Sequence, residues 1–135
     1  MKSEKKIRLT NSELAMMQLL WEAERPMNRG EIMAIAHQDP KHPLFARNSF
    51  HVIINNLIEH GYIAAFLNNG PGRKNARRFA PVLTRNEYFA RQIANTDHYT
   101  SDDIPEIVAS LIKLDKNADA DALLEKIRMA VKNAV

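Results

Sequence analysis

Two groups of side chains in this 135-residue chain have the types and spacing to recognise a polyanion. Arg73, Lys74, Arg77 and Arg78 lie within six residues of one another, directly after the turn cluster Asn68-Asn69-Gly70-Pro71-Gly72. Their cationic heads can donate to phosphate oxygens, and Gly70 and Gly72, lacking Cβ, admit a close backbone approach. Such a loop would run along a nucleic-acid backbone or reach into a minor groove. Read alone, it is also compatible with a solvated turn whose charges serve solubility. The second group is Arg47, Asn48, Ser49, His51 and Asn55, polar positions of one segment without an acid among them. Arg47 has the donor fork for guanine, Asn48 or Asn55 the amide for adenine, and Ser49 a hydroxyl for a phosphate or a base edge. The bland alternative is a plain surface helix, since Asn48 and Ser49 are common first-turn residues.

Other chemistry is poorly supported. Cysteine is absent, which removes thiolate metal sites, disulfides and thiol nucleophiles from these residues. His37, His42, His51, His60 and His98 include no pair at i, i+4 with a nearby carboxylate, so no metal site is expected. Met16, Met17, Met27, Met33 and Trp21 read as core residues rather than a cofactor box. No glycine-rich phosphate loop, nucleophile elbow or carboxylate pair is present, so neither an enzyme nor a cofactor is expected.

The elements that would position these groups are marked by local signals. Thr10-Asn11-Ser12-Glu13 is a capping box opening a helix over about 11–23, with Leu14, Met17, Leu20 and Trp21 as its apolar stripe; Pro26 bars its continuation. Asn28-Arg29-Gly30-Glu31 is a second box, opening a short helix with Ile32, Ile35 and Ala36 inward and a stop before Asp39-Pro40. A third helix is expected from about Arg47 to His60, with Phe50, Ile53, Ile54, Leu57 and Ile58 on its apolar face and Gly61 as its left-handed terminator. Beyond it, residues 62–67 and 73–80 flank the turn cluster and predict a β-hairpin whose tip and second strand are basic. Three helices and a hairpin in this order make a winged helix-turn-helix.

Thr84-Arg85-Asn86-Glu87 opens another helix, containing Tyr88, Phe89 and Ile93; Ser101-Asp102-Asp103 caps a second. Ile104, Ile107, Val108, Leu111 and Ile112 form one regular apolar stripe, and Leu123, Leu124, Ile127, Ala130 and Val131 another. About fifty residues without a disulfide seldom sustain a core of their own, so these stripes must pack on the first domain or on a second copy of the chain. The expected division is a winged-helix domain over 1–82 and a helical dimerisation region over 83–135.

Composition agrees with a globular chain: 45% apolar and 26% charged residues. The basic N-terminus leads into no apolar run, and no segment approaches the roughly 20 apolar residues of a membrane span, so a cytoplasmic protein without a membrane partner is expected. Charge is unevenly shared. Residues 1–85 carry 13 Lys/Arg against 7 Asp/Glu, and residues 86–135 carry 6 against 9. A basic first part and an acidic second part fit a polyanion-binding domain joined to one with another task.

Leu9-Thr10-Asn11-Ser12-Glu13-Leu14 followed by Leu19-Leu20-Trp21-Glu22, Arg47-Asn48-Ser49 followed by Asn55, Leu57 and Gly61, and Phe79-Ala80-Pro81-Val82 before Thr84-Arg85-Asn86-Glu87-Tyr88 resemble the bacterial penicillinase repressor family, across about residues 9–90. The resemblance implies a winged helix, a C-terminal dimerisation part, and homodimers that repress transcription from a pseudo-palindromic operator. It maps DNA contact onto Arg47, Asn48, Ser49, His51, Val52 and Asn55 of the third helix and onto Arg73, Lys74, Arg77 and Arg78 of the wing. The family commonly carries lysine or arginine where His51, Glu59 and His60 stand, so this helix is less basic. Its copper-responsive branch senses metal through a cysteine-rich tail, which these residues lack. Its antibiotic-responsive branch is inactivated by proteolysis, which implies a regulatory protease acting on the C-terminal part. The competing function for the same fold is a protein–protein interaction module that does not bind DNA.

Overall fold

The computed structural model describes residues 8–68 and 76–135. The chain divides into two compact units, Met1–Asn95 and Thr96–Val135. In the first, helix α1 (Asn11–Ala23) begins where its capping box predicts: Thr10 Oγ1 accepts from the Glu13 backbone N–H at 3.2 Å, and the Thr10 N–H donates to Glu13 Oε1 at 2.9 Å. Glu24, at φ 56°, turns the chain left-handed before Pro26. A two-residue strand β1 (Met27–Asn28) leads into helix α2 (Arg29–Ala36), whose N-cap Asn28 and Glu31 form the second reciprocal pair. The third box, Thr84 with Glu87, opens helix α4 (Arg85–Ala94). Each such cap is worth about 1 kcal/mol of helix stability.

The third helix departs from expectation at its start. Arg47–Ser49 form a 3₁₀ turn, and the α-helix proper, α3, spans Phe50–Glu59. Neither the turn nor the helix has a side-chain cap. Gly61 follows at φ +82° with open space where a Cβ would stand, the left-handed conformation that releases the chain into strand β2 (Ile63–Asn68). Strand β3 (Ala76–Pro81) returns antiparallel to β2, with Ile63 opposite Pro81 and Ala65 opposite Phe79. On its other side β3 pairs with β1, Met27 opposite Phe79 and Asn28 opposite Arg78, so the sheet order is β1-β3-β2.

One core lies between the helices and this sheet. Phe50, Met16, Met17, Leu20, Met27, Ile32, Ile54 and Leu57 are its most deeply buried side chains, and Phe79 joins them from β3. In α2 the inward residue is Met33, whereas Ile35 is 42% exposed; the short helix is rotated relative to the expected stripe. Helix α4 belongs with this unit although the sequence reading ended the domain at residue 82. Tyr88 is buried, its hydroxyl accepts from the Leu9 backbone N–H at 3.3 Å, and its ring tilts against Trp21. Trp21 in turn donates from Nε1 to the Leu83 carbonyl at 2.9 Å, which ties the chain entering α4 to α1.

Two of the capping carboxylates give the fold an acid sensitivity. Glu31 is held below the ordinary carboxylate range first by the Asn28 backbone N–H and then by Arg25, and Glu87 by the backbone and hydroxyl of Thr84. A lowered folded-state pKa contributes stability that is complete above the unfolded value near 4.5 and drains away as pH falls through the folded one. The melting temperature should therefore fall on acidification from about pH 5 to about pH 3. In the pair of variants Glu31→Gln and Glu87→Gln combined, the melting curve should start lower at neutral pH and change less across that window.

In the second unit, a 3₁₀ turn (Ser101–Asp103) precedes helix α5 (Ile104–Leu114), and helix α6 (Ala120–Ala134) follows. The cap lies one residue earlier than expected, at Thr100, whose N–H donates to Asp103 Oδ2 at 3.0 Å. Asp119 caps α6 by accepting from the Ala122 N–H at 3.1 Å. No residue of α5 or α6 is buried.

Candidate nucleic-acid interface

Helix α3 offers one side to the core and the other to solvent. Phe50, Ile53, Ile54 and Leu57 are buried, and His51, Val52, Asn55, Asn56 and Glu59 are exposed. Ahead of them Arg47 and Asn48 are exposed and Ser49 is half-buried. All six positions expected on the reading surface are thus outside the core on one turn-plus-helix segment. Because no side chain is spent on capping, Asn48 and Ser49 keep their hydrogen-bonding groups for another partner. Asn56 shares this surface and was missed. The acid-free face is also shorter than expected. Glu59 stands two turns beyond His51 on the same stripe, so only the N-terminal part of the surface lacks negative charge.

The wing residues separate. Arg73 and Lys74 lie outside the described residues. Arg77 is exposed and lies over the Phe79 ring, its guanidinium carbon 5.3 Å from the centroid. These two alternate onto the same side of β3, the side that feeds the core. Arg78 points to the opposite side and reaches Glu31 Oε1 at 3.4 Å, where Arg25 also binds, at 2.9 Å to Oε2. Arg78 is therefore a partly compensated cation within the fold, a correction to its expected place among the free wing charges. The sequence could not show this, because Glu31 is 47 residues away.

Arg77 instead meets α2 and α3. A cleft of about 470 Å³ is lined by Asn28, Arg29, Gly30, Phe50, His51, Ile54, Arg77 and Phe79. At its floor the rings of Phe50 and Phe79 meet edge to face, centroids 6.0 Å apart, and His51 stands edge-on to Phe50 at 5.4 Å. Arg29 lies over the Phe50 ring at 5.5 Å. Its presence here was not anticipated; the available signal was its position directly after the Asn28 cap, which starts α2 with a cation. Among the described residues there is no cluster of His, Asp and Glu that could hold a metal ion, and no helix long and apolar enough to cross a membrane.

The expected stripes of the second unit are laid along α5 and α6. Ile104, Leu111, Leu124, Ile127 and Val131 are exposed, and Ile107, Val108, Ile112 and Leu123 are half-buried.

Three helices closed by a small antiparallel sheet, with an exposed polar third helix beside a basic strand, define a winged helix-turn-helix, here followed by a helical region. The chain matches the sequence model of the penicillinase repressor family over residues 9–131, nearly its whole length, and it belongs to that family of transcriptional repressors. No curated protein and no solved structure matches it.

Proposed function

We propose that the chain is a sequence-specific DNA-binding repressor that acts as a homodimer on a pseudo-palindromic operator. The observation that carries this reading is the convergence of Arg29, His51 and Arg77 on one cleft beside the exposed segment from Arg47 to Asn56. Cations there would hold the phosphate backbone, while Arg47, Asn48, Ser49, His51, Val52 and Asn55 meet base edges in the major groove. Arg47 and the asparagines supply hydrogen bonds, and the exposed Val52 supplies an apolar surface suited to a thymine methyl. Arg73 and Lys74 would extend the contact along the wing, an assignment that rests on sequence. The exposed stripes of α5 and α6 are the proposed dimer seam; pairing through them would offer two reading surfaces to half-sites a helical turn or a multiple apart.

The interaction-module alternative predicts no salt-dependent binding to duplex. Gel shifts with random-sequence duplex over a salt series test the two. On the DNA-binding reading, log K falls linearly with log salt, at a slope of about 0.9 per neutralised phosphate. Arg77→Ala should lower that slope by about one unit. Arg78→Ala should lower it less, because Glu31 already compensates that charge. A flat salt response of the unsubstituted chain overturns the reading.

A further inference from the structure

Arg29 and Arg77 stand in an arrangement that a free protein has no reason to favour. In the β1–β3 pairing Met27 faces Phe79 and Asn28 faces Arg78. The next positions along both chains are Arg29 and Arg77, so the same register carries two cations towards each other just where the ladder ends. Like charges at facing positions cost stability unless something of opposite sign lies between them. Among the described residues no carboxylate pairs with either one, although Glu31 binds both Arg25 and Arg78 close by.

Each guanidinium is also held in place. Arg29 lies over Phe50 and Arg77 over Phe79, and both rings are buried and in contact with each other. A guanidinium seated with its carbon over a ring keeps in-plane N–H groups for an anion, and it loses less side-chain freedom on binding than a free one would. His51 and Gly30 complete the rim. We propose that Arg29 and Arg77 act together as a phosphodiester clamp that grips one stretch of duplex backbone across this cleft, an inference that rests on the DNA-binding reading above. Arg29 thereby becomes a binding residue of a helix that otherwise only supports α3.

Duplexes carrying single neutral methylphosphonate links, walked along each strand, test the clamp with the full-length chain and its variants Arg29→Gln and Arg77→Gln. Each variant should bind unmodified duplex about tenfold more weakly, the scale of one charge-assisted hydrogen bond. Each should also lower the salt slope by about one unit. Neutralising the gripped phosphate should weaken the unsubstituted chain by a similar factor and leave the variant that lost its grip indifferent. The indifferent positions for the two variants should coincide or adjoin on one strand. Without DNA, both variants should melt no lower than the parent chain, because removing either charge relieves the repulsion. If the parent binds duplex with a steep salt response and Arg29→Gln binds equally well, the clamp is overturned and the DNA reading stands. Indifferent positions on opposite strands, or far apart, overturn it too. If the parent binds no duplex, both readings go.

Discussion

Glutamate at both Leu111 and Leu124 is expected to turn the chain from a dimer into a monomer and to weaken its hold on a two-half-site duplex by a factor of about 10²–10⁴. These leucines are 55% and 53% exposed on helices that bury no residue at all, yet each belongs to a stripe repeating every three or four positions. Covering one leucine contributes about 1.5–3 kcal/mol, and a glutamate in its place would have to be stripped of water within an apolar seam. The loss of affinity has a separate origin. Two linked reading surfaces make the second binding event intramolecular, and a monomer forfeits that advantage without losing any single contact. Sedimentation equilibrium should show the change of mass, and gel shifts should show that a duplex with one half-site binds the variant as well as it binds the parent. The first unit has its own core, so its melting transition should persist. A variant that stays dimeric excludes this seam. A monomer that holds the two-half-site duplex undiminished removes the need for two copies.

Much of the fold was legible because its signals are local. A capping box needs only four consecutive residues, and all three boxes at Thr10, Asn28 and Thr84 form with the expected partners. The stripe of α3 and its glycine terminator are equally short-range. What escaped the sequence is what depends on distant partners. β1 is two residues long and exists because Phe79 and Arg78 lie beside it; nothing in Met27-Asn28 itself announces a strand. The end of the first unit was placed too early because Tyr88 finds its partners, Leu9 and Trp21, far upstream. The candidate site divides in the same way. The exposed polar face of α3 follows from helical period, whereas the compensation of Arg78 by Glu31 and the meeting of Arg29 with Arg77 need the sheet register. Charge counting found the cations of the wing, and only packing distinguishes the free one from the paired one.

Phe50 joins that register to stability, and its truncation is the second large effect expected. Phe50→Ala should destabilise the first unit by about 3–5 kcal/mol, a large share of the roughly 5–15 kcal/mol that keeps a domain folded. The ring is almost wholly buried, and it touches Phe79 and His51 while supporting Arg29. Its loss opens a cavity between α3 and the sheet and removes the floor of the cleft in one step. Phe50→Leu separates these consequences. Leucine refills most of the volume, so the cost in urea denaturation should be a fraction of the alanine value, but it has no π face on which Arg29 can rest. Duplex affinity of the leucine variant should then fall although its fold is intact, and a further Arg29→Gln change should cost less there than in the parent chain. Equal costs of Arg29→Gln in both backgrounds would mean that Phe50 serves the core alone; unequal costs tie the helix that reads DNA to the cation that holds it through a single aromatic side chain.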